Sequence, residues 1–331
     1  METVRKTLII GSRESLLAVR QSEIVMEYME KTCPGIRCEL VTMKTTGDRI
    51  MERLDRIGGK GLFVKELDQA LRDGKIDLSV HSLKDMPVET PPELPVIVFS
   101  PREDPRDVLV LPAGYEGSAG ADLIPLSGLL RKLDLSKPIG TSSRRRALQL
   151  QGLFSEICPQ VRFESVRGNV QTRLRKLDEG QYSALILAAA GLHRLHLQKR
   201  ISRYFEVDEI VPSAGQGILA LQGREGEDYS CLHGFACRES AMAAEAECAF
   251  VRALGGGCTS PIAAHAAFED GNMTLRGFYY DDEKGQGIRK SLTRQVSSLE
   301  ECRSAGAELA AELLEQGNDH SLEDTMSRQK E

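Results

Sequence analysis

The chain has 331 residues, 41% hydrophobic and 28% charged, with a formal net charge of −6 at pH 7. This is an ordinary globular composition, long enough for two or three domains. No run of about 18 apolar residues offers a membrane-spanning helix, and few aromatics with no Trp argue against a base-stacking surface. The N-terminal "METVRKTLIIGSRES" lacks an apolar h-region followed by a small-residue cleavage site, so no signal peptide is expected. Its eight cysteines form no C-x-x-C and no zinc-type spacing. Reduced thiols in the cytoplasm, with no bound metal, are therefore expected.

Taken in chain order, short β-rich runs alternate with helical patterns. "TLII" reads as a strand, and "SLLAVRQSEIVMEYMEK" has apolar residues at helical spacing up to Pro34-Gly35. "RCELVTMKT" is a strand, "FVKELDQALRDG" a helix closed by Gly74, and "IDLSVHS" and "PVIVFS" are strands. "DVLVL" opens a second series. Residues 113–136 read as a loop with a short helix, and "KPIGTSS" as a strand leading into the helix "RRRALQLQGLF". Strand "VRFESV", helix "NVQTRLRKLDEG" and buried strand "SALILAAAG" follow. This βαβ rhythm predicts mixed sheets with helices on both faces, in two lobes around a cleft. From about residue 235 the pattern changes to an Ala/Glu helix, a Gly-Cys loop, a hairpin around "EDGN" and a closing helix. That stretch is a third, α+β domain, with "SLEDTMSRQKE" expected to fray.

Charge is unevenly placed. Residues 131–203 hold 15 Lys+Arg against 5 Asp+Glu in an otherwise acidic chain, the mark of an anion-binding segment. Within it, "IGTSSRRRA" puts Thr141, Ser142 and Ser143 where a strand gives way to a helix, beside Arg144, Arg145 and Arg146. Free helix-terminal N–H groups, hydroxyls and guanidinium forks together make an anion site. "SVRGNVQTRLRKL" repeats the arrangement with Arg167, Gly168 and Arg173, "AAAGLHRL" supplies Arg194, and "IIGSRES" supplies Arg13 and Ser15. Strand C-termini are where open α/β sheets bind ligands, and arginine pairs bidentately with carboxylate or phosphate. Four such placements predict a small polyanionic ligand.

Two further stretches offer reactive groups. "VHSLKDMPVE" places His81, Ser82, Lys84 and Asp85 on a strand exit, and a carboxylate in an arginine-rich cleft stays ionised to steady a cation or move a proton. A surface Lys–Asp pair is the plainer alternative. "LGGGCTSPIAAH" sets Cys258 after three glycines, and a thiol there has several possible roles: nucleophile, attachment point, redox group or inert side chain.

Together these stretches resemble one family. "GSRESLLAVRQ", "GGKGLFVKELDQAL", "DLSVHSLKDMPVE", "REDPRDVLV", "IGTSSRRRALQL", "SVRGNVQTRLRKLD", "LILAAAGLHRL", "PSAGQGILAL" and "LGGGCTSPIAA" run in the order of the porphobilinogen deaminases, or hydroxymethylbilane synthases, across nearly the whole chain. The resemblance implies two periplasmic-binding-protein-like lobes, at 1–100 with about 211–234 and at 101–210. It also implies a small α+β domain at 235–331. It implies an enzyme of porphyrin and haem biosynthesis, a cytoplasmic monomer that joins porphobilinogen units and binds neither nucleic acid nor membrane. A dipyrromethane cofactor would be thioether-linked to Cys258, with Asp85 as the catalytic carboxylate. Lys84, Asp85, Thr141, Ser143, Arg145, Arg146 and Gly168 match cofactor-holding positions. Arg13, Ser15, Gln21, Arg167, Arg173, Arg194 and Gln216 match the substrate site, and Lys60 and Phe63 match a mobile loop. Residues 113–136 and 224–237 look longer than usual for the family, and Arg144 stands where an apolar residue is common. Gly255, Gly256 and Gly257 then read as a flexible tether giving the anchored chain room to move. The alternative is a two-lobed small-anion-binding protein without catalysis, which would need the arginines but neither Cys258 nor Asp85.

Overall fold

A computed structural model describes residues 6–45, 64–114, 126–155, 157–256 and 261–328. Among them the strands form three sheets. In the first, β1 (Lys6–Arg13) lies between β2 (Ile36–Met43) and β3 (Leu78–Ser82), parallel to both. Period-2 alternation gives this sheet two apolar faces. Leu8 and Ile10 pack with Val25 and Met29 of α1 (Leu16–Thr32), whereas Ile9 turns toward Leu67 and Leu71 of α2 (Lys65–Arg72). Beyond β3 come β10 (Leu219–Gln222) and then β4 (Val96–Phe99), with β10 antiparallel to both. A strand from late in the chain thus completes an early sheet.

The second sheet repeats the plan. β6 (Ile139–Gly140) is parallel to β7 (Phe163–Glu164) and β8 (Ala184–Ala188), and β5 (Asp107–Val110) runs antiparallel between β8 and β9 (Arg203–Tyr204). Leu109, Ile139 and Ile186 face α3 (Leu126–Leu130) and α4 (Arg144–Phe154). Val108, Val110, Leu185 and Leu187 face α5 (Val170–Asp178) and α6 (Ala189–Arg194). The expected mixed sheets flanked by helices are both present.

The third unit packs α7 (Arg238–Ala253) and α8 (Leu299–Arg328) on an antiparallel meander of β11 (Ile262–Glu269), β12 (Asn272–Asp281) and β13 (Gln286–Gln295). The expected hairpin is therefore a three-stranded sheet. β13, "QGIRKSLTRQ", buries only Ile288, so its polar sequence hides it. Its lysine and arginines suit an exposed edge. α8 also continues to Arg328, through the segment expected to fray. A Cβ on Gly306 would sit 2.2 Å from Ala246 O, so only glycine allows α8 to lie this close to α7.

A buried ion pair fastens this unit to the chain between the sheets. Glu247 of α7 is fully buried and takes Arg102 Nη1 at 2.7 Å and Nη2 at 2.9 Å, one on each oxygen. The same carboxylate accepts from Gly215 N (2.6 Å) and Ala266 N (2.7 Å), while Arg102 Nε donates to Gln216 O (2.9 Å). The long stretch 224–237 is also packed: Leu232 is buried, and the Phe235 ring lies 5.0 Å from that of Tyr28. Among the described residues no helix is long and apolar enough to cross a membrane.

Candidate active site

The C-terminal ends of β1, β3, β6 and β8 open onto one cavity of about 1000 Å³. That is the upper end of the usual range for small-molecule sites, with room for a chain of several rings. Its walls are set by local rules. Ser15 caps α1 by accepting from Ala18 N (3.2 Å), which holds Arg13 and Ser15 at the wall. Gln21 of the same helix donates to Ser82 Oγ (2.8 Å) at the end of β3. Ser143 caps α4 by accepting from Arg146 N (3.4 Å), and Thr141 Oγ1 accepts from Ser143 N (3.3 Å). Two capped helix N-termini, each carrying partial positive charge, thereby flank the cavity. At the third junction Gly168 has φ +114° and its carbonyl accepts from Arg173 Nε (2.8 Å), with Arg167 alongside. Arg194 ends α6 and donates to Gly217 O (2.6 Å).

Lys84 and Asp85 sit on a single 3-10 turn directly after β3. Lys84 donates to Gln216 Oε1 (3.1 Å). Burial pushes its ammonium down to about 8, helped by Arg146 and opposed by Asp85 and Asp107. Burial likewise lowers Arg173 to about 10, together with Arg146 and Arg167 and against Asp85, and lowers Arg194 to about 10. His81 is fully enclosed and hydrogen-bonds Ser79 Oγ (2.8 Å). Burial, with Arg13, drives it down to about 4, so it is a neutral imidazole at pH 7. Asp85 faces Lys84 and Arg173, yet its carboxylate makes no hydrogen bond or ion pair among the described residues. A partly exposed carboxylate with no hydrogen bond or ion pair among the described residues, in a wall of cations, is available to a ligand.

All fourteen cavity residues singled out in the sequence line this one space, but not all are free. Gln216 is buried, and its Nε2 is spent on Pro105 O (2.6 Å) and Asp107 Oδ1 (2.9 Å). Arg145 and Arg146 are buried against Asp107, which sequence reasoning missed. Its signal was a charged residue opening the apolar run "DVLVL". Cys258, Lys60 and Phe63 lie outside the described residues. On either side of Cys258, Val251 and Ile262 both line the cavity.

The glycines before Cys258 need a correction. Gly255 has φ +64° and donates its N–H to Arg252 O (3.0 Å), while Gly256 N–H bonds Val251 O (2.9 Å). Those two bonds are the Schellman closure of α7. A Cβ on Gly256 would stand 2.3 Å from Ile262 Cδ1. Gly255 sits at a fixed helix stop that its positive φ favours, and Gly256 packs against Ile262, so these two belong to the helix closure rather than to a free tether. Gly257 lies outside the described residues.

Fold and cavity define a class: an α/β protein with two helix-flanked mixed sheets whose strand ends open on one cavity lined by arginines, a lysine and a carboxylate. Two family models match the chain. One, described as "Porphobilinogen deaminase, dipyromethane cofactor binding domain", covers residues 8–231, and the other, described as the C-terminal domain of porphobilinogen deaminase, covers 241–315. The chain belongs to the porphobilinogen deaminase family. It is 48% identical to the porphobilinogen deaminase of Ruminiclostridium cellulolyticum over 90% of this chain and 99% of that one. To the porphobilinogen deaminase of Alkaliphilus oremlandii it is 53% identical over 82% of this chain and 86% of that one. Among solved structures, the periplasmic aliphatic sulphonate binding protein SsuA from Escherichia coli aligns over 75% of this chain and 70% of its own. That alignment has a TM-score of 0.36 at 12% identity, too low to bear on fold or function.

Proposed function

We propose that the protein is a hydroxymethylbilane synthase, a transferase that joins four porphobilinogen molecules into the linear tetrapyrrole hydroxymethylbilane and releases one ammonia per unit. It would do so on a dipyrromethane primer carried by Cys258. The observation that carries this reading is the Asp85 carboxylate, without a hydrogen bond or ion pair among the described residues, set among Lys84 and the arginines of a cavity of about 1000 Å³.

The residues suit the group. Each pyrrole ring brings an acetate and a propionate, and a lengthening chain adds two negative charges per ring. Lys84, Thr141, Ser143, Arg145, Arg146 and Gly168 would hold the primer's carboxylates, and Val251 and Ile262, before and after Cys258 in the chain, line the same cavity. When bound, the dipyrromethane supplies the nucleophilic carbon at which the chain grows. Arg13, Ser15, Gln21, Arg167, Arg173, Arg194 and Gln216 would receive the incoming porphobilinogen, with Lys60 and Phe63 on a covering loop. Asp85 accepts the pyrrole N–H and steadies the positive charge that spreads over the substrate ring as ammonia leaves. Lys84 and Arg173 are the cations that Asp85 faces in the cavity.

In this reading residues 1–100 with about 211–234 form one lobe and 101–210 the other, and 235–331 form the cofactor-anchoring domain. The insertion of β10 between β3 and β4 supports the first boundary. The protein acts as a cytoplasmic monomer without nucleic-acid or membrane partners, a reading supported by its family and its net charge of −6. Incubation of the purified chain with porphobilinogen tests the proposal. The expected result is ammonia and a linear tetrapyrrole in a ratio of four to one. Saturable binding of porphobilinogen with no ammonia released would instead favour an anion-binding protein without catalysis.

A further inference from the structure

Asp107 is the first residue of β5, fully buried, and belongs to none of the groups assigned above. Its Oδ1 accepts from Arg146 Nε (2.9 Å) and from Gln216 Nε2 (2.9 Å), and Arg146 Nη2 approaches it to 2.7 Å. Oδ2 lies 2.8 Å from Arg145 Nη2. Elsewhere the two guanidiniums donate to main-chain carbonyls, Arg145 to Val211 O (2.6 Å) and Arg146 to Ile186 O (3.2 Å). Burial alone would raise the Asp107 carboxyl, yet the two arginines hold it well below the usual carboxylate range, so it stays a fixed negative charge.

Gln216 passes this arrangement on. With Nε2 committed to Asp107 and Pro105 O, its Oε1 is forced to face the cations, and it accepts from Lys84 Nζ (3.1 Å) and Arg146 Nη2 (3.5 Å). One carboxylate therefore organises three cations, one on the 3-10 turn after β3 and two on α4. Without it, Lys84, Arg145 and Arg146 would crowd one another with no buried countercharge, and repulsion would separate them.

We propose that Asp107 is a positioning residue for this site: its carboxylate fixes Arg145 and Arg146 directly and Lys84 through Gln216, so that the three stand as a preset comb for the carboxylates of cofactor and growing chain. The proposal rests on reading the cavity as the polycarboxylate site. It also explains how a cavity so rich in cations holds its shape before any anion enters. Asp107 acts through its neighbours and is not required to touch the ligand.

The test follows Lys84, whose ammonium faces Arg145 and Arg146 from α4, Asp107 from β5 and Asp85 on its own turn. In the full-length protein, trace labelling of amines with acetic anhydride across pH 6–10, read peptide by peptide by mass spectrometry, gives the Lys84 midpoint. It is expected near 8 in the unaltered chain. Asp107→Asn should lower it by about 1 pH unit, the size expected for losing an opposite charge nearby. Asp107→Glu should restore most of the shift, and exposed Lys75 should not move in either variant. Porphobilinogen KM should rise at least about tenfold in Asp107→Asn, a loss of roughly 1.4 kcal/mol of binding. If Asp107→Asn does not fold, Gln216→Ala breaks the relay while leaving the arginine pair on Asp107, and it should lower the Lys84 midpoint in the same direction. An unmoved Lys84 midpoint in whichever of these variants folds overturns the assignment. If the unaltered chain fails to turn over porphobilinogen, the functional reading fails by itself, separately from the Lys84 result.

Discussion

Asp85→Asn is expected to lower the turnover of porphobilinogen by about 10²–10⁴-fold, the range for removing a positioned acid–base group. Asparagine keeps the shape and the hydrogen-bonding oxygen but loses the charge. The charge is what the reaction needs, because the departure of ammonia leaves a cation on the substrate ring. The Asp85 carboxylate makes no hydrogen bond or ion pair among the described residues, so the fold has little to lose by its removal. Stability by urea unfolding should change by less than about 1 kcal/mol, as for substitutions that break no protein contact. Ammonia release under saturating substrate measures the effect. A variant within tenfold of the original rate would remove Asp85 from the chemistry.

Arg102→Ala is expected to cost about 3–5 kcal/mol in urea unfolding, the usual result of stranding one member of a buried ion pair. Glu247 would keep two main-chain donors, Gly215 N and Ala266 N, but lose its only countercharge among the described residues. The loss also reaches function, since Cys248 and Val251 of the same helix line the cavity. Replacing both partners with methionine should recover part of the stability by removing the stranded charge. Recovery should stay incomplete, because Gly215 N and Ala266 N would lose their acceptor. A cost below about 1 kcal/mol for Arg102→Ala would mean that the pair is exposed to solvent in the working protein.

Much of this architecture was legible in the sequence because period and punctuation were unambiguous. Val108, Leu109, Val110 and Leu111 alternate cleanly between two cores, and Ser15 and Ser143 announce the helix starts they cap. The cavity was legible for the same reason: arginines at strand ends converge wherever parallel strands share a sheet. What was missed depended on partners distant in sequence. Asp107 looks like a strand's first residue until Arg145 and Arg146, nearly forty residues on, fold back on it. β13 was missed because an edge strand that buries one residue has no apolar alternation to detect. Gly255 and Gly256 were misread because a glycine run looks the same in sequence whether it swings or stops a helix. Only the bonds to Arg252 O and Val251 O separate the two.

The central claim is that this cationic cavity works on a chain anchored at Cys258, and intact mass spectrometry tests it most directly. The purified protein should exceed its 36.5 kDa chain mass by one dipyrromethane, and brief exposure to porphobilinogen should add a ladder of further single-ring steps. Cys258→Ser should abolish both the excess and the ladder. A bare chain mass that stays bare after exposure to porphobilinogen, or an excess that survives Cys258→Ser, would contradict the account.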